Sequence, residues 1–195
     1  DALMARYVVA LALELDRAKA LVGAKRNLLY FLGGGTPTAL PTALLERFLD
    51  RLVSTLGRPP TALSTVEAKP VTATDDKLRA LVAAGFRRIN LGVQTLDPEL
   101  YAYHHHGEDL RVAQSAIERA RKAGFDYVNI DVMTGLERQS AASWDTTLQG
   151  LERLCRSGAV DSVFIYPYHD DPRSKTYGTT GLVPSFAETA ATEAK

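Results

Sequence analysis

This chain has little of several things. It contains one cysteine, Cys155, in 195 residues, so an internal disulfide and a Cys-x-x-Cys metal site are both excluded. It carries no surplus charge. Lys plus Arg and Asp plus Glu stand at 23 each, and without a basic field neither nucleic acid nor an anionic membrane is an expected partner. No apolar run approaches bilayer-spanning length, and Glu14 and Asp16 lie in the leading segment with no basic region ahead of them. Neither a membrane anchor nor a signal peptide is therefore read, and the cytoplasm is the expected compartment. The chain opens at Asp1 and not at a methionine, and further residues are expected upstream. What remains, 46% hydrophobic and 24% charged, is the composition of one soluble globular domain.

The most informative stretch is Tyr30-Phe31-Leu32-Gly33-Gly34-Gly35-Thr36-Pro37. Residues 28–32 are apolar or aromatic and suit a buried strand. The glycines permit unusual backbone angles and bring bare N–H groups close to a ligand, and the proline fixes the exit direction. Such a turn at the end of a parallel strand can cradle a polar or anionic small molecule. A tight strand-to-helix loop without a ligand would show the same glycines. They match neither the G-x-G-x-x-G nor the G-x-x-x-x-G-K-[ST] phosphate pattern.

Around this stretch, helix and strand patterns alternate. Residues 1–22 place Met4, Val8, Leu11, Leu15, Ala18 and Val22 on one helical face. Pro41 opens a second helical pattern that ends near Gly57, and a short strand follows at about 62–67. Thr74 is positioned to cap a third helix, which Ala84-Gly85-Phe86 ends with glycine just past it, and a strand is read at 88–93. A helix at 109–122 hands over through Ala123-Gly124-Phe125 to a strand at 127–131. The shared punctuation sets Asn90 over Asn129 and Gly92 over Asp131, a weak internal repeat. A last helix at 143–156 leads to a strand at 162–166. Strands that alternate with helices in this way require parallel crossovers, hence an α/β domain, either open sheet or barrel.

Residues 33–36, Glu67, Gln94, Asp131 and residues 166–169 all fall at or just past the C-terminal ends of successive strands, the rim where α/β folds bind ligands. Each has a bland reading as a strand-end charge, a loop cap or a turn residue. Five such rims in order are harder to dismiss.

The motifs Gly33-Gly34-Gly35-Thr36-Pro37, Glu67-Ala68-Lys69-Pro70, Gly92-Val93-Gln94, Asn129-Ile130-Asp131 and Ile165-Tyr166-Pro167, in that order, resemble the radical SAM enzymes of the oxygen-independent coproporphyrinogen III oxidase-like group. The resemblance implies an α/β fold, a partial (β/α)6 TIM-like barrel missing its first strand, with 1–178 as barrel core and 179–195 as the start of a further, truncated region. It implies S-adenosylmethionine bound to the open iron of a 4Fe–4S cluster, whose reductive cleavage gives a 5′-deoxyadenosyl radical, and an electron donor as partner. By the same resemblance Gly34, Gly35 and Thr36 meet the methionyl end of S-adenosylmethionine. Glu67, Gln94 and Asp131 hold its polar groups, the ribose hydroxyls among them, and Tyr166 and Tyr168 lie near the adenosine. This suits the chemistry, because a zwitterion wants backbone donors and acceptors, and a diol wants carboxylate or amide acceptors.

Two departures stand out. The family's Cys-x-x-x-Cys-x-x-Cys loop is absent, and Cys155, expected as a small buried residue on a helix, cannot supply three thiolates; the cluster's ligands are expected outside this chain. In the His104-His105-His106 run, His106 falls where the family usually has an arginine for the methionyl carboxylate. Histidine gives no bidentate clamp there. A solvated loop is expected for the run in place of a metal site. Three outcomes follow from the resemblance: oxidative decarboxylation of a porphyrinogen, methyl transfer, or haem handling without turnover, with a tetrapyrrole as the candidate small molecule. A cluster-free module binding an adenosyl or tetrapyrrole ligand is the alternative, and an ordinary (β/α) hydrolase or isomerase using Glu67 and Asp131 as acid and base is a third reading.

Overall fold

The computed structural model describes residues 2–23, 28–59 and 63–168. Along them run α1 (Ala2–Val22), β1 (Phe31–Leu32), α2 (Thr42–Leu56), β2 (Thr65–Ala68), α3 (Asp75–Ala84), β3 (Arg88–Gln94), α4 (Pro98–His104), α5 (Arg111–Ala123), β4 (Tyr127–Thr134), α6 (Ala141–Arg156) and β5 (Ser162–Pro167). The strands form one sheet in chain order, and the pairs β1–β2, β2–β3 and β4–β5 are parallel. This is the α/β architecture that the alternation requires. The chain divides into two compact units, one of residues up to Leu91 with Ser115–Val128, the other of Gly92–Gln114 and the residues from Asn129 on. The region expected at 179–195 lies outside the described residues.

In the first unit α1 turns the expected face inward. Val8 is buried and Leu11, Leu15, Ala18 and Val22 are half-buried, while Met4 at the start is exposed. The buried face of α2 repeats at helical spacing through Leu45, Phe48, Leu49 and Leu52. Between the two helices Arg51 Nη2 donates to both Asp16 oxygens at 2.6 and 2.5 Å; at this exposure the pair contributes at most about 1 kcal/mol. The strand expected at 28–32 shrinks to Phe31–Leu32. Tyr30 just before it is held by α2, its hydroxyl donating to the Leu56 carbonyl at 2.8 Å, and burial pushes its pKa up. β2 starts at Thr65, later than expected, and of the residues read as its start, 62 lies outside the described ones. Thr74 occupies the N-cap of α3 without capping it. Its hydroxyl donates to the Asp76 carboxylate instead of accepting from a backbone N–H.

In the second unit, Ile130 and Val132 of β4 are fully buried on one face. α6 begins with a capping box, Ser140 Oγ accepting from Ser143 N at 3.1 Å and Ser143 Oγ from Ser140 N at 2.8 Å, a motif that stabilises a helix by about 1 kcal/mol. It lays Trp144, Thr147 and Leu151 inward. Gly150 lets it approach closely, since a Cβ there would lie 2.9 Å from Leu96 Cδ1. α4 was not read from the sequence, although Asp97-Pro98-Glu99 carries its signal: Asp97 caps it by accepting from Leu100 N at 2.9 Å, and Pro98 takes the first turn. Cys155 is exposed, contrary to the buried position expected, because the inward face of α6 is already filled by residues at helical spacing from Trp144.

Candidate functional site

In the first unit the site is built on the loop after β1. The β1–β2 register pairs Leu32 with Val66, and the next residue of each strand, Gly33 and Glu67, come together at the strand ends. A Cβ on Gly33 would lie 2.7 Å from Glu67 Oε2, so the carboxylate rests directly against bare backbone, an approach only glycine allows. Gly34 follows with φ 80, in the left-handed region. Thr36 then opens a 3-10 turn over Pro37–Ala39, its carbonyl accepting from Ala39 N at 2.8 Å. Two bonds from elsewhere tie this turn down: Lys77 Nζ donates to the Thr38 carbonyl at 2.7 Å, and the Thr38 and Thr72 hydroxyls meet at 2.7 Å. The loop borders a cleft of about 430 Å³ whose other walls include Tyr7, Leu11 and Phe31.

Glu67 is in register with Asn90 on β3, and paired residues of a parallel ladder share a face. Asn90 is only 7% exposed, and its Oδ1 has no hydrogen-bond partner among the described residues. A buried acceptor left open beside a half-buried carboxylate and a glycine cradle suits a polar ligand carrying donors, such as the ammonium of a methionyl group.

In the second unit Gln94 ends β3 with φ 70, and around it Thr95 N donates to the Val93 carbonyl at 2.9 Å. That tight three-residue turn is strained for a residue with a side chain, and strain of this kind concentrates where a side chain is aimed for function. Asp131 was expected at a strand end but lies within β4, which runs on to Thr134 because Val132, Met133 and Thr134 pair with Ile165, Tyr166 and Pro167. Asn129 Nδ2 donates to Asp131 Oδ1 at 2.7 Å, and Ser162 Oγ donates to Asn129 Oδ1 at 2.7 Å. Tyr166 pairs with Met133, two residues beyond Asp131, so it shares the Asp131 face; its ring meets Phe164 edge-on at 6.3 Å. Tyr168 follows the strand, its N–H donating to the Thr134 carbonyl at 2.7 Å.

The three histidines do not form the solvated loop expected of them. His104 closes α4 and its Nε2 lies 2.9 Å from the Glu137 carbonyl. His105 stacks on Tyr101 with ring centroids 4.0 Å apart. Burial, and then the charge of Glu108, push that tyrosine up to about 12. Only His106 is exposed, at φ 55, where one imidazole gives a single hydrogen bond and no fork. Among the described residues no group of three His, Cys, Asp or Glu side chains is placed to hold a metal ion, and the lone thiol of Cys155 on the outside of α6 does not fit a 4Fe–4S cluster. The cradle at Gly33 and the open acceptor of Asn90 have the chemistry that a ligand with hydrogen-bond donors, S-adenosylmethionine included, requires. The sequence named Asn129 in a motif and Ser162 as the start of a strand, but neither as a site residue. The repeat of a buried Asn two residues before Gly92 and Asp131 was the available signal.

The chain is similar to known proteins over most of its length. The heme chaperone HemW of Bacillus subtilis is 33% identical over 136 residues, covering 69% of this chain and 36% of its own length. The oxygen-independent coproporphyrinogen III oxidase of Paracoccus denitrificans is 29% identical over 168 residues, 85% of this chain and 36% of that protein. The solved structure of the Escherichia coli coproporphyrinogen III oxidase HemN, a radical SAM enzyme, superposes with a TM-score of 0.82 at 25% identity, over 98% of this chain and 44% of that one. The chain thus spans about a third of the length of the curated relatives it matches. Residues 6–149 match the radical SAM superfamily as a whole, and this chain belongs to it, in the branch that resembles oxygen-independent coproporphyrinogen III oxidase.

Proposed function

We propose that this chain is the S-adenosylmethionine-binding part of a radical SAM protein that acts on a tetrapyrrole. The observation that carries this is the Glu67 carboxylate resting against the bare backbone of Gly33, next to the left-handed Gly34 and in register with the open acceptor of Asn90. In this reading Gly34, Gly35 and Thr36 offer backbone groups to the methionyl end, and Glu67 accepts from its donors. Gln94 and Asp131 accept from donors of the same ligand, Asp131 from the ribose hydroxyls. His106 gives the methionyl carboxylate one hydrogen bond, and Tyr166 and Tyr168 flank the adenine. When bound, S-adenosylmethionine supplies a sulfonium carbon–sulfur bond whose reductive cleavage yields a 5′-deoxyadenosyl radical. No step is assigned through a cluster, because this chain's residues do not fit one. The tetrapyrrole follows from what the relatives share by name: a heme chaperone and coproporphyrinogen oxidases.

The single exposed thiol favours a second reading for the chain by itself, a cluster-free module that holds the adenosyl ligand without turnover. Calorimetry of S-adenosylmethionine with the 195-residue chain tests the shared element. Binding is expected without iron. Gly33→Ala, whose Cβ would push aside the far ends of the Phe31 and Glu67 side chains, and Glu67→Gln should each weaken it about tenfold while the melting temperature barely moves. Absent binding, or variants that bind as the parent does, would overturn the assignment. In the full-length protein, S-adenosylhomocysteine as a product would mark methyl transfer, and its absence would favour oxidation or haem handling.

A further inference from the structure

We infer that Asn129 is a positioning residue for Asp131, locked in one amide orientation by Ser162, so that the carboxylate presents a fixed pair of acceptor directions to a ribose diol. The inference rests on the reading of Asp131 as the ribose acceptor. Asn129 is fully buried in β4, and Asp131, two residues on, projects from the same face. Ser162 stands opposite Asn129 in the β4–β5 register. The two hydrogen bonds, Ser162 Oγ to Asn129 Oδ1 and Asn129 Nδ2 to Asp131 Oδ1, are both 2.7 Å.

Their direction is forced by chemistry. An ionised carboxylate only accepts, so only the NH2 end of the amide can face it, and the flipped amide would set two oxygens against each other at that distance. The amide oxygen then faces Ser162, whose hydroxyl can donate or accept and takes the donor role. Nothing else in the trio can rotate without breaking a bond. One oxygen of Asp131 is thereby tied, and the plane of its carboxylate is set. Two vicinal hydroxyls need acceptors in a fixed relation, whereas a single hydroxyl can follow a swivelling carboxylate. A positioning role therefore acts on discrimination between ribose and deoxyribose more than on affinity in general.

The test is calorimetry of the 195-residue chain with S-adenosylhomocysteine and with its 2′-deoxy analogue. The wild-type chain should prefer the ribose form. Asn129→Ala should weaken the ribose form about tenfold and the deoxy form little, so that the preference collapses. Ser162→Ala leaves the β4 side chains in place and should move the preference the same way by about threefold. It decides the matter if Asn129→Ala does not fold. A preference that survives in both variants, or an equal loss for both ligands such as a loosened sheet would give, overturns the relay while leaving the binding site intact. A wild-type chain indifferent to the 2′-hydroxyl overturns the ribose contact of Asp131 and the relay with it, and one that binds neither ligand overturns the proposed function as well.

Discussion

Residues 84–90 and 123–129 begin alike and end differently. In each, a helix stops at a glycine in the positive-φ region, φ 111 at Gly85 and 100 at Gly124. A phenylalanine then turns into the core, Phe86 at 0% and Phe125 at 3% exposure, and a strand carries a buried asparagine four residues later. There the likeness stops. The amide of Asn129 is bonded at both ends, while the oxygen of Asn90 meets nothing among the described residues. The same scaffold thus yields one asparagine with a structural task and one left open. The difference traces to what surrounds them: Ser162 and Asp131 flank the first, and Gly92 takes the place of Asp131 after the second.

The comparison can be broken most sharply by removing both amides. Asn129→Leu should lower stability by about 2–4 kcal/mol in chemical denaturation, since it leaves a hydroxyl and a carboxylate without their partner. Asn90→Leu should stay within about 1 kcal/mol, because its oxygen satisfies nothing. Equal losses would mean that Asn90 is as engaged as its counterpart. Next in size are the helix ends. Gly85→Ala and Gly124→Ala both force a side chain into the positive-φ region, at about 1–2 kcal/mol each. Gly85 should lose more, because its Cβ would lie 3.0 Å from Pro59 Cδ, whereas that of Gly124 would lie 3.6 Å from Val82. Thermal melts that rank them the other way would show that packing around Gly85 yields.

The smallest effect concerns acids near the two helix starts. The hydroxyl of Thr42, then that of Thr74, hold Asp76 down to about 2, while Arg111 holds Asp109 below the usual carboxylate range. A carboxyl whose folded pKa is depressed stabilises above its unfolded value of about 3.9, and that contribution fades as pH falls through the folded pKa. Asp76→Asn should therefore reduce stability at neutral pH and flatten its decline between about pH 4 and pH 2, where the two titrations lie. An unchanged acid limb in melting curves would place the acid sensitivity elsewhere. Both groups are exposed, so the effect is small.

Much of the architecture was legible because its signals are local. Glycine after a helical run, an apolar tetrad and a proline after a strand each act within a few residues, and they located α2, α3, β3, α5 and β5 to within about two residues. What was missed depends on partners distant in sequence. β4 extends to Thr134 because β5 offers a ladder that far, and β1 shrinks because Tyr30 is claimed by the end of α2. Thr74 has the residue type of a cap, yet its hydroxyl has a carboxylate within reach. At the site, strand-end position and the resemblance singled out Glu67 and Asp131 as candidate acceptors. The contact of Glu67 with Gly33 and the bonds from Asn129 and Ser162 toward Asp131 appear only when strands are set in register.

Cys155, the only cysteine of the chain and exposed on α6, makes a practical reporter. A maleimide dye or nitroxide should attach once per chain without mutagenesis, well away in sequence from residues 33–36 and 67. Its spectrum gives ligand titrations a signal that none of the site variants disturbs chemically. The same thiol makes reductant necessary, because in air two chains can join through it and a covalent pair would be mistaken for association.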